Sequence, residues 1–215
     1  MSDNTTQNTS DTRWQTKPTD RFVLKWIKIN LSAKITPQLV NLKWLRPWMI
    51  TICSSVLGCT AGTIFACRMG WLAGIIAAFA QILDGVDGQF ARLTNQESQA
   101  GAFFDSVLDR YADGAMTIGL IIYLAQLSLF IPLWFLLSLG ALAVIGSNLI
   151  SYSSSRAETL GLNMGKATLA SKGTRTSVLI LAAWGSVIWT VFPIFALLYL
   201  AIHPNYVVIS RLRKV

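Results

Sequence analysis

Apolar positions in this chain come in long unbroken runs rather than in the period-two alternation of half-buried strands, so the pattern predicts an all-α protein. Punctuation at Gly70, Pro132 and Pro193 divides the runs into six predicted spans, at about 48–68, 71–91, 102–126, 130–153, 174–191 and 193–210. Most approach the ~20 residues that cross a bilayer as helix. Upstream, from Asp20 to Arg46, Phe22, Val23, Leu24, Trp26, Ile27 and Leu31 alternate with Arg21, Lys25, Lys28 and Lys34, the pattern of an amphipathic helix lying in the membrane interface. Pro37 is expected to break that helix, and Pro47 to open the first span. Residues 1–19 are polar, lack the apolar core of a signal peptide, and read as a disordered tail. The predicted organisation is thus a tail (1–19), an interfacial segment (20–46) and a six-span polytopic membrane domain (47–215).

Composition sharpens this picture. The chain is 53% hydrophobic and 13% charged, with a mean hydropathy of +0.51, which excludes an ordinary soluble domain. The net charge of +8 is read as topology rather than nucleic-acid binding. Arg92, Arg156, Lys166, Lys172, Arg175, Arg211, Arg213 and Lys214 fall in the loops after the second and fourth spans or at the C-terminus, whereas the opposite loops hold Arg68 alone. Both termini are then cytoplasmic, and the sequons at Asn4 and Asn8 carry no weight. Cys53, Cys59 and Cys67 share one apolar stretch and read as small buried hydrophobes. His203 is the single histidine and reads as a packing or interfacial residue.

Five aspartates crowd the thirty positions from Asp84 to Asp113, at the predicted cytoplasmic ends of the second and third spans. A carboxylate near hydrocarbon costs ~2.5–3.5 kcal/mol, so the group requires a compensating charge. Asp84 and Asp87, three apart, share one helical face, and Asp105 and Asp109, four apart, share another. Two antiparallel helices would present both pairs to one cavity. With no Cys or His nearby the ligand set is all oxygen, which suits Mg²⁺, Mn²⁺ or Ca²⁺, and four carboxylates suffice for two ions. Gly85, Gly88, Ala91 and Gly101 remove bulk so that a ligand or a neighbouring helix can come close, and Arg92 can hold a phosphate.

As a string, Asp84 to Asp109 reads DGVDGQFARLTNQESQAGAFFDSVLD, which resembles the signature D-x-x-D-G-x-x-A-R-x8-G-x-x-x-D-x-x-x-D of the CDP-alcohol phosphatidyltransferase family at every fixed position. The resemblance implies a six-helix membrane fold, a homodimer, and displacement of CMP from a CDP-linked alcohol by the hydroxyl of a second alcohol. It implies that Asp84, Asp87 and Asp105 hold Mg²⁺ or Mn²⁺, that Asp109 both binds metal and serves as catalytic base, and that Gly88, Ala91, Arg92 and Gly101 contact the CDP part. Asp113, one turn beyond Asp109, falls outside the signature and is expected to support the ligands from behind. One departure lies upstream: where many members read T-P-N-x-x-T, this chain has Arg46-Pro47-Trp48-Met49-Ile50-Thr51, and Trp48 is expected to be an interfacial anchor.

The stretch Ser151 to Leu162, SYSSSRAETLGL, with Ala170 to Arg175, resembles the inositol-phosphate-using branch of the family. The resemblance implies that Arg156, Lys172 and Arg175 bind the acceptor phosphate. Ser154 stands where that branch carries lysine, a charge that must come from elsewhere, with Lys166 as one candidate. The expected reaction is transfer of a phosphatidyl-type group from a CDP-linked lipid to a phosphorylated polar alcohol, inositol phosphate first and glycerol 3-phosphate second. A soluble CDP-polyol donor is a third reading. A transporter using the acids as an ion relay is the reading from another class, and it is disfavoured because relay acids would be spread through the membrane's depth.

Overall fold

The computed structural model describes residues 15–16, 22–42, 44–162 and 170–213. The tail 1–19 lies almost wholly outside them, as do Lys43 and Lys166. Among the described residues there is no strand, and the elements are α1 (Phe22–Ile27), a π-helical turn (Lys28–Ser32), α2 (Ala33–Val40), α3 (Pro47–Ala66), α4 (Gly70–Leu93), α5 (Gln99–Ala125), α6 (Leu133–Thr159), α7 (Lys172–Ile188) and α8 (Pro193–Leu212).

Four of these helices, α3, α4, α6 and α8, are long and apolar enough to cross a membrane. The other two long helices differ for reasons tied to the chemistry. α5 has the length but carries Asp105, Asp109, Arg110 and Asp113, while α7 has 17 residues and opens with Lys172 and Arg175. The prolines act as read: Pro47 and Pro193 sit in the first turns of α3 and α8, where the missing N–H costs nothing, and Pro132 is the N-cap of α6.

Pro37 does not end its helix, contrary to expectation. α2 runs through it to Val40. The segment is held from outside by tertiary contacts with α4, which outweigh one lost backbone bond. Ser32 and Thr36 are fully buried; the Ser32 hydroxyl donates to the Ile82 carbonyl at 2.9 Å, and the Thr36 hydroxyl lies 2.7 Å from Oε1 of Gln89. Gln89, itself fully buried, donates from Nε2 to the carbonyls of Lys28 (2.9 Å) and Gln15 (2.8 Å). A Cβ at Gly85 would run into the Ser32 side chain, so this glycine makes room for the N-terminal segment rather than for a ligand. Trp26, Ile29 and Ile35 remain exposed.

The bundle is drawn together by small residues. Gly58 and Gly62 on α3, four apart, face Ala112 and the Ala115 backbone on α5, and Gly119 of α5 packs against the Gly62 backbone. That approach seats the acidic half of α5 against α3. Around it, Phe65, Leu120, Leu124, Leu179, Leu197 and Leu200 form the fully buried core. Cys53 and Cys67 lie exposed and Cys59 half-buried, all as free thiols, so the cysteines sit on the outer side of α3 and at its C-cap rather than in the core. His203 stacks on Tyr199 at 5.3 Å.

Candidate active site

The turn between α4 and α5 sets the register of the acidic residues. α4 closes with Asn95 in the left-handed region (φ 53°), the Gln96 N–H donating to the Ala91 carbonyl at 2.8 Å and the Asn95 N–H to that of Arg92 at 3.3 Å. Asparagine tolerates this conformation better than most residues, which suits it to ending a helix this way. Ser98 then caps α5, its hydroxyl accepting from the Gly101 N–H at 3.0 Å. A short turn with defined ends thus joins α4 to α5, and carboxylates from the two helices come together beyond it.

Asp84, Asp105 and Asp109 converge there. One carboxylate oxygen from each lies within 4.8 Å of the other two. Oxygens bound to one Mg²⁺-sized ion, each ~2.0–2.1 Å from it, are at most ~4.2 Å apart, so a small side-chain adjustment closes the triad around a hard divalent ion, and the donor set has the right chemistry for one. Asp87 falls outside the triad's 4.8 Å grouping but lies close enough to Asp84 and Asp105 to feel their charge. It is buried, and its Oδ2 accepts from the Thr51 hydroxyl of α3 at 2.7 Å. Thr51 had no role in the sequence reading beyond matching the family pattern.

Beside the triad opens a cavity of about 650 Å³, of a size that holds small ligands. Gly88, Ala91, Arg92 and Gly101 all line it, together with Asp87 and Asp105. A Cβ at Gly88 would stand 3.6 Å from the Arg92 guanidinium. Trp48 and Arg46 line the same cavity, so Trp48, expected as an interfacial anchor, also borders that cavity. On the inner side of the triad a separate cavity of about 40 Å³, bordered by Ser54, Ser55, Gln81, Asp109, Asp113 and Thr176, has room for water.

The three basic residues expected at the acceptor site are not brought into one open pocket. Arg156 is exposed near the end of α6. Lys172 instead bridges the acids, its ammonium donating to Asp84 at 2.5 Å and also to Asp109. Arg175 is 2% exposed, donating to Asp113 at 2.7 Å and to the Ala170 carbonyl at 2.6 Å. Asp113 therefore stands behind the acids as Arg175's partner. Arg175→Ala is expected to destabilise the protein by ~3–5 kcal/mol, because it strands the Asp113 charge in the bundle; a melting temperature unchanged from wild type would contradict that role.

Arg211 is the residue that the sequence reading missed. From the last turn of α8 its Nη1 reaches Ser154 at 2.8 Å, Ser153 at 2.7 Å and the Ile150 carbonyl at 2.9 Å on α6. A guanidinium thus stands at the Ser154 position, where the inositol-phosphate branch places a lysine. The only sequence signal was a basic C-terminus, since 57 positions separate the two residues.

Residues 44–208 match the sequence model of the CDP-alcohol phosphatidyltransferase family, and the chain belongs to that family. The archaetidylinositol phosphate synthase of Pyrococcus horikoshii is 33% identical over 65% of this chain and 69% of its own length. The bifunctional IPC transferase and DIPP synthase of Thermococcus kodakarensis is 33% identical over 64% of this chain, which spans only 30% of that longer protein. In fold, the chain is similar to Mycobacterium tuberculosis phosphatidylinositol phosphate synthase, crystallised with CDP-DAG bound, with a TM-score of 0.74 at 23% identity over 85% of this chain and 92% of that one.

Proposed function

We propose that this protein transfers a phosphatidyl-type group from a CDP-linked lipid of the CDP-diacylglycerol type to inositol phosphate, releasing CMP. The observation that carries the reading is the juxtaposition of the Asp84–Asp105–Asp109 triad with a 650 Å³ cavity lined by the family's glycines and Arg92. Asp84, Asp105 and Asp109, with Asp87 at the cavity wall, would hold one or two Mg²⁺ or Mn²⁺ ions. Bound there, the metal supplies the positive charge that polarises the phosphorus and stabilises the leaving phosphate. Support for that ion comes from the M. tuberculosis synthase, which has been crystallised with manganese and citrate.

The chain's own groups do the rest. Arg92 engages the diphosphate, while Gly88, Ala91 and Gly101 let it lie close to the backbone. Asp109 takes the proton from the acceptor hydroxyl as that oxygen bonds to the lipid-side phosphorus and the bond to CMP breaks. Arg156 and Arg211 flank the α6 stretch that resembles the inositol-phosphate branch and offer charge to the acceptor phosphate. Arg211→Ala is expected to raise the acceptor KM by about ten- to hundredfold, the worth of a lost charge-assisted contact, with little change in the donor KM. Equal effects on both substrates would assign Arg211 to packing instead.

The finer organisation belongs to the same reading. Residues 47–215 form a catalytic domain of six spans in the cytoplasmic membrane, α5 and α7 being the two whose charges line the site; residues 20–46 lie at the cytoplasmic interface, both termini and the site face the cytoplasm, and the protein is a homodimer. A second reading, with a soluble CDP-polyol as donor, draws on the likeness to the bifunctional T. kodakarensis protein. The test is CMP release by purified protein with Mn²⁺ and CDP-diacylglycerol, comparing inositol 1-phosphate, glycerol 3-phosphate and no acceptor. Release only with a soluble CDP-polyol would select the second reading, and absence of CMP with every pair would overturn both.

A further inference from the structure

Lys172 occupies an unusual place for a residue expected to meet an acceptor phosphate. Its ammonium pairs with Asp84 and Asp109, two of the three acids of the triad. Before any ion binds, three carboxylates at this spacing repel one another across a partly buried site, and a cation between two of them relieves that repulsion. An ion bound to the same carboxylates competes with the ammonium for their negative charge. Two cations cannot share that space without strong repulsion, and the lysine is the mobile one, a point charge on a flexible four-carbon stem.

Where the ammonium goes is constrained by the fold. Lys172 is the first residue of α7, so a displaced side chain stays beside the first turn of that helix, whose N–H groups and dipole favour an anion. We propose that Lys172 is a displaceable counter-ion of the acidic site: it holds Asp84 and Asp109 until the divalent ion arrives, then passes to the acceptor phosphate, so that ion and acceptor bind cooperatively. This rests on the proposed function for the identity of the acceptor, but not for the competition between lysine and ion.

Binding linkage tests it, because any cooperativity carried by Lys172 must be reciprocal and must vanish with the side chain. Mn²⁺ binding to the purified protein is titrated by the loss of the free-ion EPR signal, with and without inositol 1-phosphate, in wild type, Lys172→Met and Lys172→Gln. Thermal unfolding in EDTA checks folding; the glutamine variant retains hydrogen bonding to the carboxylates without the charge. In the wild type, inositol 1-phosphate is expected to tighten Mn²⁺ binding about tenfold. In both variants Mn²⁺ alone should bind about tenfold tighter than in wild type, with inositol 1-phosphate adding less than twofold. Variants that bind Mn²⁺ no tighter than wild type, or that keep the full acceptor effect, overturn the proposal. Tighter Mn²⁺ binding in the variants with no acceptor effect in any protein upholds the competition and overturns the transfer of Lys172 to this acceptor. A wild type that shows the full linkage yet forms no CMP counts against the proposed function and not against the role of Lys172.

Discussion

Asp84→Asn is expected to abolish CMP release altogether. The change keeps the shape of the side chain but removes one of the four carboxylates proposed to hold a hard, strongly hydrated cation, and a neutral amide oxygen is a poor substitute among so few ligands. It also removes a partner of Lys172, leaving that ammonium on Asp109 alone. Asp105→Asn should behave in the same way. Excess EDTA should reproduce the loss in the wild type, and added Mn²⁺ should restore the wild type but not the variants. The measurement is CMP formation against free Mn²⁺ concentration; wild-type turnover in EDTA would remove the metal from the scheme.

Asp109→Asn tests a different property of the same cluster. Asp109 lies one helical turn after Asp105 and borders the inner cavity, so it can reach both the triad and a hydroxyl beside it. A positioned base contributes ~10²–10⁴-fold to rate, and turnover is expected to fall by at least that range, while CDP binding in the cavity beyond Asp105 is largely kept. Comparison of CDP affinity by calorimetry with kcat separates the two functions. If affinity collapses together with rate, Asp109 serves chiefly as a metal ligand and the proton goes elsewhere.

Much of this site was legible before any coordinates. The spacings of three and four place each aspartate pair on one helical face, because the α-helix repeats every 3.6 residues. Pro47, Pro132 and Pro193 marked helix starts for an equally local reason, and the glycines and Arg92 of the signature do line one cavity. Pro37 does not break the helix because its local penalty is outweighed by the contacts of Ser32 and Thr36 with Ile82 and Gln89 of α4, which bring together residues about fifty positions apart. The N-terminal segment's buried face thus includes Ser32 and Thr36 beside apolar Ile27, Leu39 and Val40, and the buried polar part is something no hydrophobic periodicity could indicate.

The partners of the charged groups belong to tertiary structure alone. Asp87 turns to Thr51, Lys172 to Asp84 and Asp109, Arg175 to Asp113, and Arg211 to Ser154. Residue type and spacing establish that these charges exist and which face of a helix carries them. Which of them meet depends on how closely α3 and α5 approach at Gly58, Gly62 and Gly119, and on how α7 packs against α4 and α8 against α6. Such contacts join positions 36 to 88 residues apart. Local periodicity determines helices and their faces, but the rotation and depth at which helices dock are settled by packing over the whole bundle, and that packing decides which cation faces which carboxylate.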